Sequence, residues 1–314
     1  MLTKPKTVKK PQKKQNSGGG LSSNLIKKPI KKWFPLFMGP TIICFCIGFV
    51  WPFIHGIYLS FCQFTIITKT KFVGFSNYIR ALTDPSFIHA FWYTALYTVV
   101  SVVLINLFAF LFALALTQKM KGSNLFRTVF FMPNLIGGIV LSYIWSMIFN
   151  GVLSKYGTSI LLDEKLGFWG LVILMCWQQI GYMMIIYIAG LQAIPGDMLE
   201  AAEIDGASRW QTLIRITIPN VMTSITICTF LTLSNGFKLF DQNLALTGGL
   251  PISYVNGEQV SASEMLALNI YSTYMTSGKS SRGTAQAKAV LFFILVAAIG
   301  LLQLKVTRKK EVQQ

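Results

Sequence analysis

Six apolar stretches constrain this chain more than any other feature it carries. They cover about residues 34–60, 90–117, 127–149, 167–192, 217–239 and 285–305. A helix crosses the hydrocarbon core of a bilayer with about 20 predominantly apolar residues, and each stretch reaches that length. Inside lipid the backbone must satisfy its own hydrogen bonds, so an apolar run this long is read as a helix. Charged residues make up only 12% of the chain, about half the usual share in a soluble domain. The expected fold class is therefore an all-α membrane protein with six transmembrane helices. The first stretch is too long for the core of a signal peptide and no small-residue cleavage pattern follows it, so it is read as a retained span.

A net charge of +17 invites a nucleic-acid partner, but the distribution of the charge points to membrane topology instead. Residues 1–32 hold ten lysines and no acid. They are read as a disordered basic cytoplasmic tail, with no aromatics interleaved for base stacking. With the amino terminus inside, the inner segments hold ten, three (Lys119, Lys121, Arg127), two (Arg209, Arg215) and four (Lys305, Arg308, Lys309, Lys310) cations, 19 of the 28 lysines and arginines. The positive-inside bias thus places both termini in the cytoplasm. Residues 33–310 form the membrane domain.

Little here suggests catalysis or metal binding. The five cysteines lie in or beside apolar runs, and His55 and His89 are the only histidines, so no metal-ligand spacing appears. Gly278-Lys279-Ser280 imitates the end of a phosphate loop, yet position 273, where such a loop needs glycine, is Thr273.

One polar segment separates the fourth and fifth apolar stretches. Between Asp197 and Arg215 it carries Asp197, Glu200, Glu203 and Asp205, with Arg209 and Arg215. Pro195-Gly196 stops the preceding helix. Asp197 with Glu200 three residues later reads as a capping box. Asp205-Gly206 reads as a helix stop with a left-handed glycine, and Ser208 with Gln211 as a second cap. The spacing predicts helix, tight turn, helix over 195–216, with Pro219 opening the fifth span. A solvated loop would not need two caps and the small residues Ala201, Ala202, Gly206 and Ala207. The carboxylates would repel the phosphates of DNA. A docking element for a cytoplasmic protein fits best, its carboxylates offering partners for cations on the other side.

The stretch "EAAEIDGASRWQTLIRITIP" (Glu200–Pro219) resembles the EAA motif of the membrane subunits of bacterial ABC importers, and its D-G-A core resembles the sugar-importing branch. "RTVFFMPNLIGGIVLSYIWSMIFN" (Arg127–Asn150) is similar to the third span of that branch, "FDQNLALTGGLP" (Phe240–Pro251) to its threonine-glycine-glycine-proline outer loop, and "FVGFSNY" (Phe72–Tyr78) to its first outer segment. The resemblance covers about residues 33–310. Leu250 departs from it, standing where the family often has a third glycine.

The resemblance implies a type I ABC importer permease in the bacterial plasma membrane, not an enzyme. It implies a second permease subunit, two ATP-binding subunits beneath, an extracellular solute-binding protein and a sugar substrate, with ATP bound by the partner subunits and no cofactor in this chain. Glu200, Ala201, Ala202, Asp205, Gly206 and Ala207 carry the motif and are its expected ATPase-coupling residues. Polar residues inside spans are costly unless they face a bundle interior or a pathway. Gln178, Gln179, Tyr182, Ser234, Asn235, Lys238 and Asp241 are the substrate-pathway candidates. Tyr182 and Asn235 fall near solute-contacting positions of the sugar branch. Lys238 and Asp241, three apart, are expected to pair on one helix. Glycerol phosphate or an acidic sugar is the alternative solute, and a non-transporting scaffold or receptor the alternative class.

Overall fold

A computed structural model describes residue 34 and residues 36–66, 70–118, 121–255, 257–276 and 281–308. The basic tail of residues 1–32, Lys119 and the segment Gly278-Lys279-Ser280 lie outside the described residues. The chain divides into two compact units, Met1–Gly56 and Ile57–Gln314. Helix α1 (Leu36–Ser60) contributes most of its length to the first unit. Within that unit it contains a π turn at Cys46–Val50 and a ladder of stacked rings, Phe45 on Phe49 on Phe53, the i, i+4 neighbours of a helical face.

The second unit is a bundle. Helices α2 (Ser76–Thr83) and α3 (Pro85–Thr117) come first. Asp84 caps α3, accepting the Ser86 amide at 2.9 Å, and proline follows at the first helical position. Then come α4 (Ser123–Phe131), α5 (Gly138–Leu153), α6 (Glu164–Gln192), α7 (Gly196–Ile204), α8 (Arg209–Thr212), α9 (Met222–Phe237), α10 (Asp241–Leu246), α11 (Leu266–Met275) and α12 (Ser281–Arg308).

Four described helices are long and apolar enough to cross a membrane, and up to six spans result if two bent pairs each count as one. The third and fifth apolar stretches are the bent ones. Ser123–Leu135 turns by 101° into Gly138–Tyr156, and Arg209–Asn220 by 69° into Met222–Phe237. The first break follows Pro133, which lacks an amide donor, at the Gly137-Gly138 pair. The second falls at Val221, just past Pro219, which sits in the short turn Ile218–Asn220 and does not open α9. Two small antiparallel hairpins, β1 (Cys62–Phe64) with β2 (Thr70–Phe72) and β3 (Ile252–Val255) with β4 (Glu258–Ser261), were not anticipated.

The bundle centres on α3, α6 and α9. Ala109 and Ala113, one turn apart and fully buried, lie in one cluster with Met183, Met184, Tyr187 and Cys228. Small residues let membrane helices approach closely, since lipid offers no hydrophobic drive between them. A polar relay joins the same three helices. The Tyr187 hydroxyl donates to Asn106 Oδ1 at 2.8 Å, and Asn106 Nδ2 donates to Thr232 Oγ1 at 2.9 Å.

One end of α3 carries a second polar assembly. Asn243, fully buried, donates to the Ser263 carbonyl at 2.8 Å and accepts the Met265 amide at 2.9 Å. Thr94 Oγ1 accepts the Leu266 amide at 2.9 Å, and the His89 ring donates to the Ala262 carbonyl at 2.8 Å. Lys288 of α12 is 1% exposed. Its three protons reach Asp84 Oδ2 at 2.6 Å, Thr273 Oγ1 at 2.7 Å and Asn269 Oδ1 at 2.8 Å. Asn269 in turn donates to Glu264 Oε2 at 2.8 Å. A lysine buried this deeply is stable only with such partners. Residues 262–269 and Lys288 are thereby tied to the first turns of α3.

Candidate functional site

The polar segment near the other end of α3 folds as two helices around a tight turn. α7 ends at Ile204 with Asp205 as its cap, and Gly206 follows in the left-handed region at φ +74°. The Ala207 amide donates to the Ala202 carbonyl at 3.0 Å and the Gly206 amide to the Glu203 carbonyl at 3.1 Å. These paired bonds are the Schellman stop, and only glycine enters its left-handed position without steric cost. Ser208 then opens α8. Gln211 N donates to Ser208 Oγ at 3.3 Å, and Ser208 N donates to Gln211 Oε1 at 2.7 Å, so the expected second capping box is present. The expected first one is not. Pro195 holds the cap position of α7 without a side-chain bond, and Asp197 lies inside the first turn. There its charge favours the positive helix end, but it does not close an amide.

Among the described residues, no ion pair within the chain engages Glu200, Glu203 or Asp205. All three are exposed, whereas Ala202 is buried under the turn. Ala201, Ala202, Asp205, Gly206 and Ala207 line a cleft of about 570 Å³, and Glu203 faces a second cleft of about 470 Å³ beside Leu114 and Gln118. Glu200 lines neither cleft. Ile204 and Trp210 stand out from either side of the turn, 86% and 71% exposed. α8 continues through a π turn (Leu213–Thr217) and Ile218–Asn220 up to the bend into α9. The turn therefore hangs between α6 and α9.

Those two helices also hold most of the polar pathway candidates. Gln179, Asn235, Lys238 and Asp241 line one cavity of about 350 Å³, together with Met175, Leu239, Phe240 and Gln242. Gly236 shapes it, because a Cβ there would fall 2.9 Å from Thr98 Oγ1. Glycine thus lets α9 close onto α3 beside Asn235. Lys238 and Asp241 do not share a helix. α9 ends at Phe237, α10 begins at Asp241, and no ion pair joins the two charges among the described residues. The expected pairing fails because the chain turns between them. Both charges are exposed.

The other candidates lie elsewhere. Gln178 is buried with both amide ends engaged: its Nε2 donates to the Ile136 carbonyl at 3.2 Å, and its Oε1 accepts from Gln242 Nε2 at 3.0 Å. Consecutive helical residues point about 100° apart, which separates Gln178 from Gln179. Tyr182 packs its ring 6.5 Å from that of Phe131, and Ser234 accepts the Lys238 amide on its carbonyl at 3.2 Å. Neither lines the cavity. The sequence reading missed Phe240 and Gln242, although "LFDQN" announces them as a polar break after an apolar run. It also missed Lys288, whose signal was a lone cation inside the stretch 285–305. No cluster of three or more histidine, cysteine or acidic side chains that could hold a metal occurs among the described residues.

Residues 105–311 match the family model described as "Binding-protein-dependent transport system inner membrane component". The chain belongs to this family. The permease is 39% identical over 90% of its length, and 96% of the relative's, to the "Probable starch degradation products transport system permease protein AmyD" of Thermoanaerobacterium thermosulfurigenes. It is 33% identical, over 91% of its length and 99% of the relative's, to the "Multiple sugar-binding transport system permease protein MsmF" of Streptococcus mutans. Among solved structures, a chain of a bacterial ABC transporter involved in import of the acidic polysaccharide alginate superposes with a TM-score of 0.73 at 21% identity, covering 90% of the permease and 98% of that chain. A chain of the MetNI methionine ABC transporter gives 0.53 at 18% identity, over 72% and 96%. These likenesses carry the fold, and the family carries the role: a membrane-spanning transport subunit that is not an enzyme.

Proposed function

We propose that this permease forms half of the pathway of an ATP-driven sugar importer, together with a second permease subunit. Two ATPase subunits bind beneath, and a solute-binding protein delivers sugar from outside. The observation that carries the reading is the cavity in which Gln179, Asn235, Lys238 and Asp241 meet beside Phe240. Amides and charged groups suit the hydroxyls of a sugar, and a few placed polar groups on an apolar wall are what small-molecule sites present. The sugar-related names of AmyD and MsmF support the same solute class. Gln178 supports the cavity by holding Gln242, while Tyr182 and Ser234 pack behind it.

The turn of α7 and α8 couples this cavity to the ATPases. Its free carboxylates at Glu200 and Asp205 and its small residues Ala201, Ala202, Gly206 and Ala207 suit a close-fitting groove. Gln179 lies 13 residues from the end of α6, about 20 Å along the helix, so displacement passed from the turn to the end of α6 reaches the cavity along unbroken helix. The energy enters as a difference in binding between two states, with ATP chemistry in the partner chains. Both termini lie in the cytoplasm. Uptake of a panel of labelled sugars by cells carrying the complete transporter tests the reading. Sugar-dependent accumulation that is lost with the permease is expected. A transporter that moves no saccharide, with all subunits present in the membrane, would leave a scaffold or receptor as the better account.

A further inference from the structure

The cavity holds one cation and one anion that do not neutralise each other directly. Lys238 caps the end of α9, Asp241 starts α10, and both side chains are exposed without an ion pair between them. The same cavity also holds neutral groups. Gln179 Oε1 is buried without a partner, and the Asn235 amide makes no hydrogen bond among the described residues. Phe240 forms an aromatic wall, and Tyr271 of α11 meets it edge-on, centroids 5.3 Å apart at 68°. Tyr271 is 41% exposed and adjoins the cavity through Phe240, which lines it.

A saccharide hydroxyl both donates and accepts. It can accept from Lys238 and donate to Asp241, to the Gln179 carbonyl and to Asn235, and the apolar face of a sugar ring covers an aromatic side chain. A uronate or a sugar phosphate meets a different balance. It gains Lys238 but confronts the Asp241 carboxylate in the same cavity, where like charges repel. We infer that Asp241 is a charge filter that restricts this pathway to neutral saccharides, with Tyr271 as an aromatic rest for the sugar ring at the rim. The inference rests on the sugar-pathway reading above and narrows it to a solute class.

The test uses the complete transporter, with its ATPases and binding protein, in sealed vesicles. Uptake is measured for matched pairs: neutral gluco-, galacto- and manno-oligosaccharides and their C6-oxidised uronate counterparts. The wild type is expected to favour the neutral member of whichever pair it imports. Asp241→Asn should raise the uronate-to-neutral ratio about tenfold, the effect of removing one like charge, while Asp241→Glu should keep the wild-type ratio. Tyr271→Ala should raise the half-saturating concentration of the neutral sugar without changing the ratio, and Tyr271→Phe should restore it. Equal wild-type import of both members, or an unchanged ratio in Asp241→Asn at normal membrane and ATPase levels, overturns the filter. An unchanged half-saturation in Tyr271→Ala overturns the rest. Import of neither member of any pair sinks the sugar pathway itself, which is a separate outcome.

Discussion

The two ends of α3 are organised in opposite ways. Near its last turn, the α7–α8 element is built from bonds between residues three to five apart: Gly206 to Glu203, Ala207 to Ala202, Ser208 with Gln211. Its side chains project outward. Along its first turns, the bonds join residues far apart in the chain: Lys288 with Asp84, Leu266 with Thr94, Ala262 with His89. Those side chains are mostly buried. A self-contained, exposed element can move as a unit and be gripped by another protein. An element whose polar groups are mostly spent internally serves as the fixed end. The difference predicts that damage near the turn removes function while sparing the fold, and that damage at the other end does the reverse.

The largest effect should come from Glu200→Lys. It reverses an exposed charge that no internal ion pair uses, so the protein should insert at its normal level while uptake is lost. Normal uptake at normal membrane levels would break the comparison, because the turn would then be an ordinary loop. Next in size is Lys288→Ala, which leaves Asp84 without its partner. Breaking a buried pair costs about 3–5 kcal/mol. Asp84 remains 30% exposed, so the expected loss is about 2–3 kcal/mol, read as a lower melting temperature of the purified complex in nanodiscs. Asp84→Asn with Lys288→Met keeps the cap of α3 and removes both charges, and it should recover most of that loss. Failure to recover would mean that the cost comes from the lost bonds to Asn269 and Thr273 instead of the orphaned charge.

The same contrast decides what could be read from the sequence. The turn was legible because its determinants are local: glycine at the left-handed position, serine with glutamine three residues later, small residues between. The six apolar stretches were legible because lipid imposes length and hydropathy directly. Asp197 misled because a capping box needs an extended residue at the cap, and Pro195 already ends the strand of chain there. The bends at Gly137-Gly138 and Val221 were hidden inside continuous apolar runs, where hydropathy has no angular information. The cavity was half legible. Gln179 and Asn235 stood out as polar groups in apolar helices, but nothing local distinguishes Gln179, which faces the space, from Gln178, which holds Gln242. The partnership of Lys288 with Asp84 crosses 204 residues, and no periodicity announces a contact of that span.

Smaller effects sharpen the comparison at the turn itself. Gly206 has open space where a Cβ would stand and a φ of +74°, so a substitution there is purely conformational. Gly206→Val should destabilise the turn by roughly 1–2 kcal/mol, whereas Gly206→Asn, which tolerates the left-handed region, should cost less. Equal losses in the two variants would show that bulk, not backbone geometry, governs the site.

The smallest effect is expected from Ser208→Ala. It removes the hydroxyl that accepts the Gln211 amide and leaves the reciprocal bond from Ser208 N to Gln211 Oε1 intact. Loss of such a cap costs about 1 kcal/mol, which is roughly a fivefold change in a local opening equilibrium. Hydrogen exchange should therefore quicken about fivefold over residues 209–217 and stay unchanged at residues 262–269, which α3 and α12 hold from the other end. Uptake should fall in proportion to the opened fraction and not vanish, because the carboxylates remain. Faster exchange in both regions at once would mean that the two ends of α3 share one cooperative unit, and the separation between a mobile grip and a fixed anchor would have to be abandoned.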